Sequence, residues 1–340
     1  MRLAEPATHP WRWGAAIGAV LLAVGAARAE TLSQVQRQRY SMGTMFGIVA
    51  YHASAAEAER AVDAAIAEIV RLDAVMSHYK EQSDLTRLNR DARRGFVAVA
   101  PSLYEVVEQA LDVSRRSGGR FDVTIAPLLR VWRDAYEAGR QPSAAEVAGA
   151  RRCAGYHHVE LRGPNLIRFR SDCLELDLGG IGKGYAVDRA LEVLRSAGIR
   201  HAVVNAGGST IGAIGSPPGS EGWPVDLGTH VAGRSVLWLR DGAISTSQQR
   251  LRRLPFAPGE FGEIIDPARG TPAPHEAIVS VITPSATRAD ALSTTLLLLP
   301  TEDGKKLLAQ FSPASALWMS PTGELRDSFR PSRLRLARTE

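Results

Sequence analysis

The sequence predicts a mixed α/β chain, of the α+β kind, in which several sheets pack against helices. Three observations carry that prediction. Ala55 to Val75 places Ala, Ile and Val at three-and-four spacing with Glu, Arg and Asp between them, the pattern of an amphipathic helix. Short apolar runs such as His201 to Asn205 and Ala277 to Thr283 read as buried strands. Between them, Cys173 to Leu178 alternates apolar and charged residues and meets four glycines at 179, 180, 182 and 184. It then continues into Ala186, Ala190, Leu191, Val193 and Leu194 at helical spacing, which Gly198 stops.

The remaining elements follow in order. Arg39 to Tyr51 reads as a first strand with a glycine break near its start, ahead of the long helix. Ser83 to Asn89 has the form of a short capped helix, Val97 to Val99 of a short strand, and Pro101 opens a helix through Ser117. Gly118 to Asp122 is a turn leading into Val123–Leu128, residues 143–152 a short helix, and Gly155 to Arg170 a hairpin bent at Gly163-Pro164-Asn165. Trp223 to Ser247 carries several short strands. Thr287 to Leu299 is a helix, and Ala316 to Met319 and Glu324 to Phe329 are late strands.

At 340 residues, 45% hydrophobic and 23% charged, the composition is that of a globular protein with one large or two medium domains. Arg2 and Arg12 precede an apolar run from Gly14 to Ala27, and Ala27-Arg28-Ala29 has the small-x-small form of a secretory cleavage site. Residues 1–29 are therefore expected to be a signal peptide and 30–340 the working domain. The apolar run is shorter than the roughly 20 residues of a membrane span. Losing that segment's three arginines and one glutamate lowers the net charge from +5 to +3, too mild and scattered to indicate nucleic acid. Export makes the periplasm the expected compartment in a Gram-negative source, with inner-membrane association left open. Cys153 and Cys173 suit a disulfide there as well as two buried thiols.

The glycine turn fails two nucleotide fingerprints. A P-loop needs Gly five residues before the Gly-Lys pair and Ser or Thr after it, where Asp177 and Gly184 stand. Gly-x-Gly-x-x-Gly fails at Tyr185. What remains is bare backbone at a helix start, able to adopt positive φ and suited to a phosphate. On the later helix Asp290 and Thr294 stand four apart and so share a face. A carboxylate and a hydroxyl side by side are the oxygen donors that a hard divalent cation takes beside phosphates and water.

Seven blocks occur in one order: Met42-Gly43-Thr44; Ser77-His78-Tyr79; Phe121-Asp122-Val123-Thr124 with Pro127-Leu128; Asp177 to Tyr185; Asn205-Ala206-Gly207-Gly208; Ile265-Asp266-Pro267; and Ala289-Asp290 to Thr294. Together, over roughly Arg39 to Leu299, they resemble the ApbE family of FAD:protein FMN transferases. Members are exported or periplasmic enzymes of T-fold-like α/β architecture. They cut FAD at its pyrophosphate and join FMN by a phosphoester to a Thr or Ser of a target flavoprotein, releasing AMP.

The resemblance implies that Met42 and Tyr79 lie against the flavin or adenine rings, and that Arg120, Phe121, Asp122 and Ile265 line the dinucleotide. It implies that Asp177 and Lys183 touch FAD and take part in catalysis. Magnesium would be held by the carbonyl of Gly180 and the side chains of Asp290 and Thr294. Asp177 stays open between general base, a residue behind the metal, and a partner of an FAD hydroxyl. The implied acceptor is a flavoprotein of a membrane or periplasmic electron-transfer system. Glu263 stands where the family often has His, and Ser247-Gln248-Gln249-Arg250 replaces a Ser-Gly-x-Tyr-like continuation. These departures keep two other readings in view: an FAD pyrophosphatase that gives free FMN and AMP, and a non-catalytic FAD-binding protein.

Overall fold

Eight strands line up side by side in chain order to make the central sheet of the computed structural model. They are β1 (Ser33–Ser41), β2 (Thr44–His52), β3 (His201–Ala206), β4 (Thr210–Ile214), β5 (Gly242–Gln249), β6 (Ala277–Thr283), β7 (Ser315–Met319) and β8 (Leu325–Phe329). Every neighbouring pair is antiparallel, so the α+β form of the expected mixed fold is the one observed. The structure describes residues 32–227, 235–249, 252–253, 260–273, 277–322, 324–330 and 336–338. The expected signal peptide lies outside them.

The helices are α1 (Ala55–Met76), α2 (Asp84–Asp91), α3 (Pro101–Arg116), α4 (Ala126–Glu137), α5 (Ala144–Cys153), α6 (Gly182–Ser196), α7 (Ala286–Leu296) and α8 (Thr301–Ala309). Strand alternation sorts the two faces of the sheet. Phe46, Ile48 and Ala50 of β2 join one core with Ala61, Val62, Val187 and Leu191 of α1 and α6. Val49 and Tyr51, one position out of phase, pack with Trp223 and Val225 in a second core. The central sheet shares that second core with a three-stranded antiparallel sheet of Trp223–Asp226, Ser235–Leu239 and Leu336–Arg338, through Trp223, Val225, Leu237 and Leu239. Among the described residues no helix is long and apolar enough to cross a membrane.

Several expectations need correction. The first strand is a hairpin, because Met42 (φ 50°) and Gly43 (φ 74°) both take the left-handed conformation that a two-residue primed turn requires. Val123–Leu128 runs into a helix that was not anticipated: Pro127 sits in the first turn of α4, where its missing N–H costs nothing. Helix α8 was not anticipated either. Cys173 to Leu178 pairs with no strand. Its backbone is held instead by the Asn89 amide, which bonds both N–H and C=O of Leu176 (2.8 and 2.9 Å), and by the Val123 carbonyl, which accepts from Asp177 N–H at 2.7 Å. Cys153 and Cys173 are joined, with Cα atoms 5.0 Å apart, which ties the end of α5 to the start of this segment.

Candidate active site

The glycine corner opens α6, and α6 crosses α7 at close range. A Cβ on Gly184 would overlap the Ala286 carbonyl and lie 2.8 Å from the Cβ of Asp290, so only glycine lets the two helices meet here. The corner glycines at 179, 180, 182 and 184 do not take positive φ. Space, rather than backbone freedom, is what the corner uses. Its amides are also largely committed. Gly179 N–H donates to Asp177 Oδ1 (2.7 Å), Ile181 and Gly182 N–H to the Leu178 carbonyl (3.1 and 2.7 Å), and Gly184 N–H to Asp290 Oδ2 (2.9 Å).

Asp188, one turn further along α6, fixes the start of α7. Its carboxylate accepts from Ser285 Oγ (2.7 Å), Ala286 N–H (2.7 Å), Thr287 N–H (2.9 Å) and Thr287 Oγ1 (2.6 Å). With the register of α7 set, Asp290 and Thr294 face the corner: the position of a Gly180 Cβ is 3.5 Å from Thr294 Oγ1. Asp290 is 4% exposed and also accepts from Ser245 Oγ at 3.3 Å. Burial pushes its carboxyl above the ordinary carboxylate range, opposed in part by the Lys183 ammonium and the Gly184 N–H. Ser247 Oγ lies 3.2 Å from Thr294 Oγ1 and 2.7 Å from Ser293 Oγ. The result is one wall of hard oxygen atoms with a lysine beside it.

This wall bounds a cleft of about 610 Å³. Arg120, Phe121, Asp122, Asp177, Gly180, Lys183, Ile265, Asp290 and Thr294 all line it, so most residues expected from the sequence are brought together. Asp122 is there, yet its carboxylate accepts from Thr124 Oγ1 (2.6 Å), Thr124 N–H (2.8 Å) and Tyr156 N–H (3.0 Å). It builds the wall. Burial raises its pKa, and those hydrogen bonds oppose the rise. Arg120 reaches Asp266 at 3.3 Å, and Asp266 is itself 4% exposed and capped by Ala268 N–H at 2.8 Å.

Two expected residues stand apart. Tyr79 is 76% exposed and lies against His78, the two rings tilted by 41° with centroids 3.8 Å apart. Met42 packs against the start of α6, its methyl 3.5 Å from the position of a Gly182 Cβ. Neither lines the cleft. His78, whose position in the Ser77-His78-Tyr79 block gave it no role, has Nδ1 3.5 Å from Asp177 Oδ2. Asp188, Asp266 and Ser247 were also passed over. The first two lay inside or just beside quoted blocks, but their work is to orient other groups, and that has no spacing signature.

Among the described residues no three His, Cys, Asp or Glu side chains converge. A cation at this wall would be held by the Asp290 carboxylate, the Thr294 hydroxyl and the Gly180 carbonyl, with the rest of its shell from substrate phosphates and water. That all-oxygen set with a single carboxylate fits magnesium.

A model of the ApbE family matches residues 42–318. A protein of Treponema pallidum (strain Nichols) named FAD:protein FMN transferase is 28% identical over 340 aligned residues, covering 94% of this chain and 93% of its own length. One of the same name from Vibrio cholerae is 28% identical over 300, covering 86% and 89%. Among solved structures, a mutant of the flavin transferase ApbE from Vibrio cholerae superposes with a TM-score of 0.74 at 26% identity, covering 87% of this chain and 97% of that one. The ApbE protein of Thermotoga maritima gives 0.75 at 27%, covering 86% and 96%. Fold and relatives place the chain among transferases of mixed α/β architecture. Within them, it belongs to the ApbE family.

Proposed function

We propose that this chain is a magnesium-dependent FAD:protein FMN transferase that moves FMN from FAD to a Thr or Ser hydroxyl of a partner flavoprotein. The acceptor oxygen forms a bond to the FMN-side phosphorus, the bond from that phosphorus to the bridging oxygen breaks, and AMP leaves. The hydroxyl proton goes to a carboxylate, a role we assign to Asp177 because it lines the cleft and its Oδ1 is oriented by Gly179 N–H at 2.7 Å. Lys183 and Arg120 supply positive charge for the diphosphate. Bound magnesium would neutralise charge on the phosphate oxygens as the bond breaks.

The observation that carries this reading is the convergence of Asp290 and Thr294 on the glycine corner, with Lys183 and Asp177 in the same cleft. The chain works after export, on an electron-transfer flavoprotein, with residues 1–29 removed.

Incubation with FAD, magnesium and candidate flavoproteins, followed by intact mass spectrometry, tests it. The expected result is an acceptor heavier by one FMN residue, with stoichiometric AMP. AMP and free FMN with no labelled acceptor would favour the pyrophosphatase reading, and a protein that holds FAD unchanged with magnesium present would leave a binding protein only.

A further inference from the structure

A second groove, of about 380 Å³, meets the first at Asp177 and Leu129, which line both. Two helices form its sides, each with one face. Thr86, Asn89, Arg90 and Arg93 follow the i, i+3, i+4, i+7 spacing along and just past α2, and Ala126, Leu129, Arg130 and Arg133 follow the same spacing along α4. Ala126, Leu129 and Leu176 make its apolar part, and four arginines its rims. The only carboxylates lining it are Glu175 and Asp177.

Those charges do not cancel. Glu175 is taken by Arg130 in a two-pronged pair at 2.8 and 3.1 Å. Arg90 pairs with Asp91, which does not line the groove. Arg93 donates to the Asp172 carbonyl at 3.2 Å, and Arg133 has no ion pair among the described residues. A positive, half-apolar trough thus runs along the surface and ends at the carboxylate placed to take a proton from the acceptor.

We infer that this groove is the docking channel for the protein acceptor, and that it receives an extended acidic segment whose Ser or Thr is delivered to Asp177. The inference rests on the transferase reading and adds the acceptor's chemistry and direction of approach. Two clefts are what a reaction between two large substrates needs. On that reading the dinucleotide takes the cleft that Lys183 and Asp290 line, and the acceptor hydroxyl needs its own way in to the phosphorus. Arginine guanidinium groups suit carboxylates because their paired donors match both oxygens. Exposed charge pairs of this kind set encounter rate and selectivity and weaken with salt.

The test uses the whole protein, with FAD and magnesium, and fluorescein-labelled peptides of about twelve residues carrying one central Thr. One peptide is flanked by Glu and Ala, the other by Lys and Ala. Fluorescence anisotropy at low salt should show saturable binding of the acidic peptide alone, lost progressively as salt rises. The double variant Arg93→Glu, Arg133→Glu should weaken that binding by about tenfold or more, with FAD affinity within twofold of the parent by flavin fluorescence. Equal binding of both peptides, binding of neither, or an unaffected double variant would overturn the inference. A loss of FAD affinity with peptide binding intact would assign the groove to the dinucleotide instead. Peptide binding is read without turnover, so failure of the transferase reading would appear separately, as an absence of AMP.

Discussion

The cleft has two walls, and they are built in opposite ways. The α6–α7 wall depends on the absence of atoms. Gly184 lets α6 touch the backbone of α7, and Asp188 then fixes the start of α7 so that Asp290 and Thr294 arrive at the corner. The facing wall, from Arg120 to Thr124, depends on added bonds: Asp122 gathers Thr124 and Tyr156, Thr124 Oγ1 accepts from Gly155 N–H at 2.6 Å, and the Cys153–Cys173 disulfide closes the set nearby. A wall made by close approach fails when volume is added. A wall made by bonds loses stability by increments, one bond at a time.

That contrast is broken most severely at Gly184. Gly184→Ala is expected to cost about 3 kcal/mol or more, because the new methyl meets backbone that cannot turn aside. Urea unfolding measures it. A cost below about 1 kcal/mol would show that the helices separate easily. The opposite wall is probed by Cys153→Ser with Cys173→Ser. Freeing a loop with a sequence separation of 20 should cost about 3 kcal/mol through the unfolded chain, and because the Asp122 hydrogen bonds remain, FAD affinity should fall less than stability does. Equal losses in both would make the disulfide part of the binding wall itself.

The smallest effect is at the start of α5, which leads to the disulfide. Arg140, then Ser143, hold the Glu146 carboxyl down from 4.5 to about 2. A depressed carboxylate contributes stability that is present above pH 4.5 and lost as pH falls from there towards about 2. Glu146→Gln should therefore flatten the acid limb of the stability curve over that window by lowering stability slightly above pH 4.5 and leaving it unchanged near pH 2, a small effect because the pair is exposed and screened. An identical acid limb in both proteins would remove Glu146 from the account.

How much of this was legible follows from what makes each wall. Helix α1 was read almost to the residue, because a long period of 3.6 is local information. Asp290 and Thr294 were found because a shared helix face needs no tertiary knowledge. Cys173 to Leu178 alternates like a strand, but its partners are a side chain 87 residues away and a single carbonyl, and no pattern within the segment reports that. Helix α4 was hidden by the turn before it and by Pro127, and with it the arginine groove, whose two faces become visible only when α2 and α4 are both helices. Glycine at 184 announced flexibility in the sequence; in the fold it supplies room.

The central claim is that the buried carboxylate of Asp290 exists for a cation and a diphosphate, rather than for the fold. Burial raises its pKa, so the charged form is a burden on the folded protein, relieved below the ordinary carboxylate pKa and felt as pH rises through the folded one. Asp290→Asn keeps an oxygen for Gly184 N–H and removes the charge. Thermal unfolding at neutral pH, with and without magnesium and FAD, is the direct measurement. The metal-free variant should melt at the same temperature as the parent or higher, and magnesium should stabilise FAD-bound parent but not FAD-bound variant. A variant that melts well below the parent, with the same magnesium shift in both, would contradict the account.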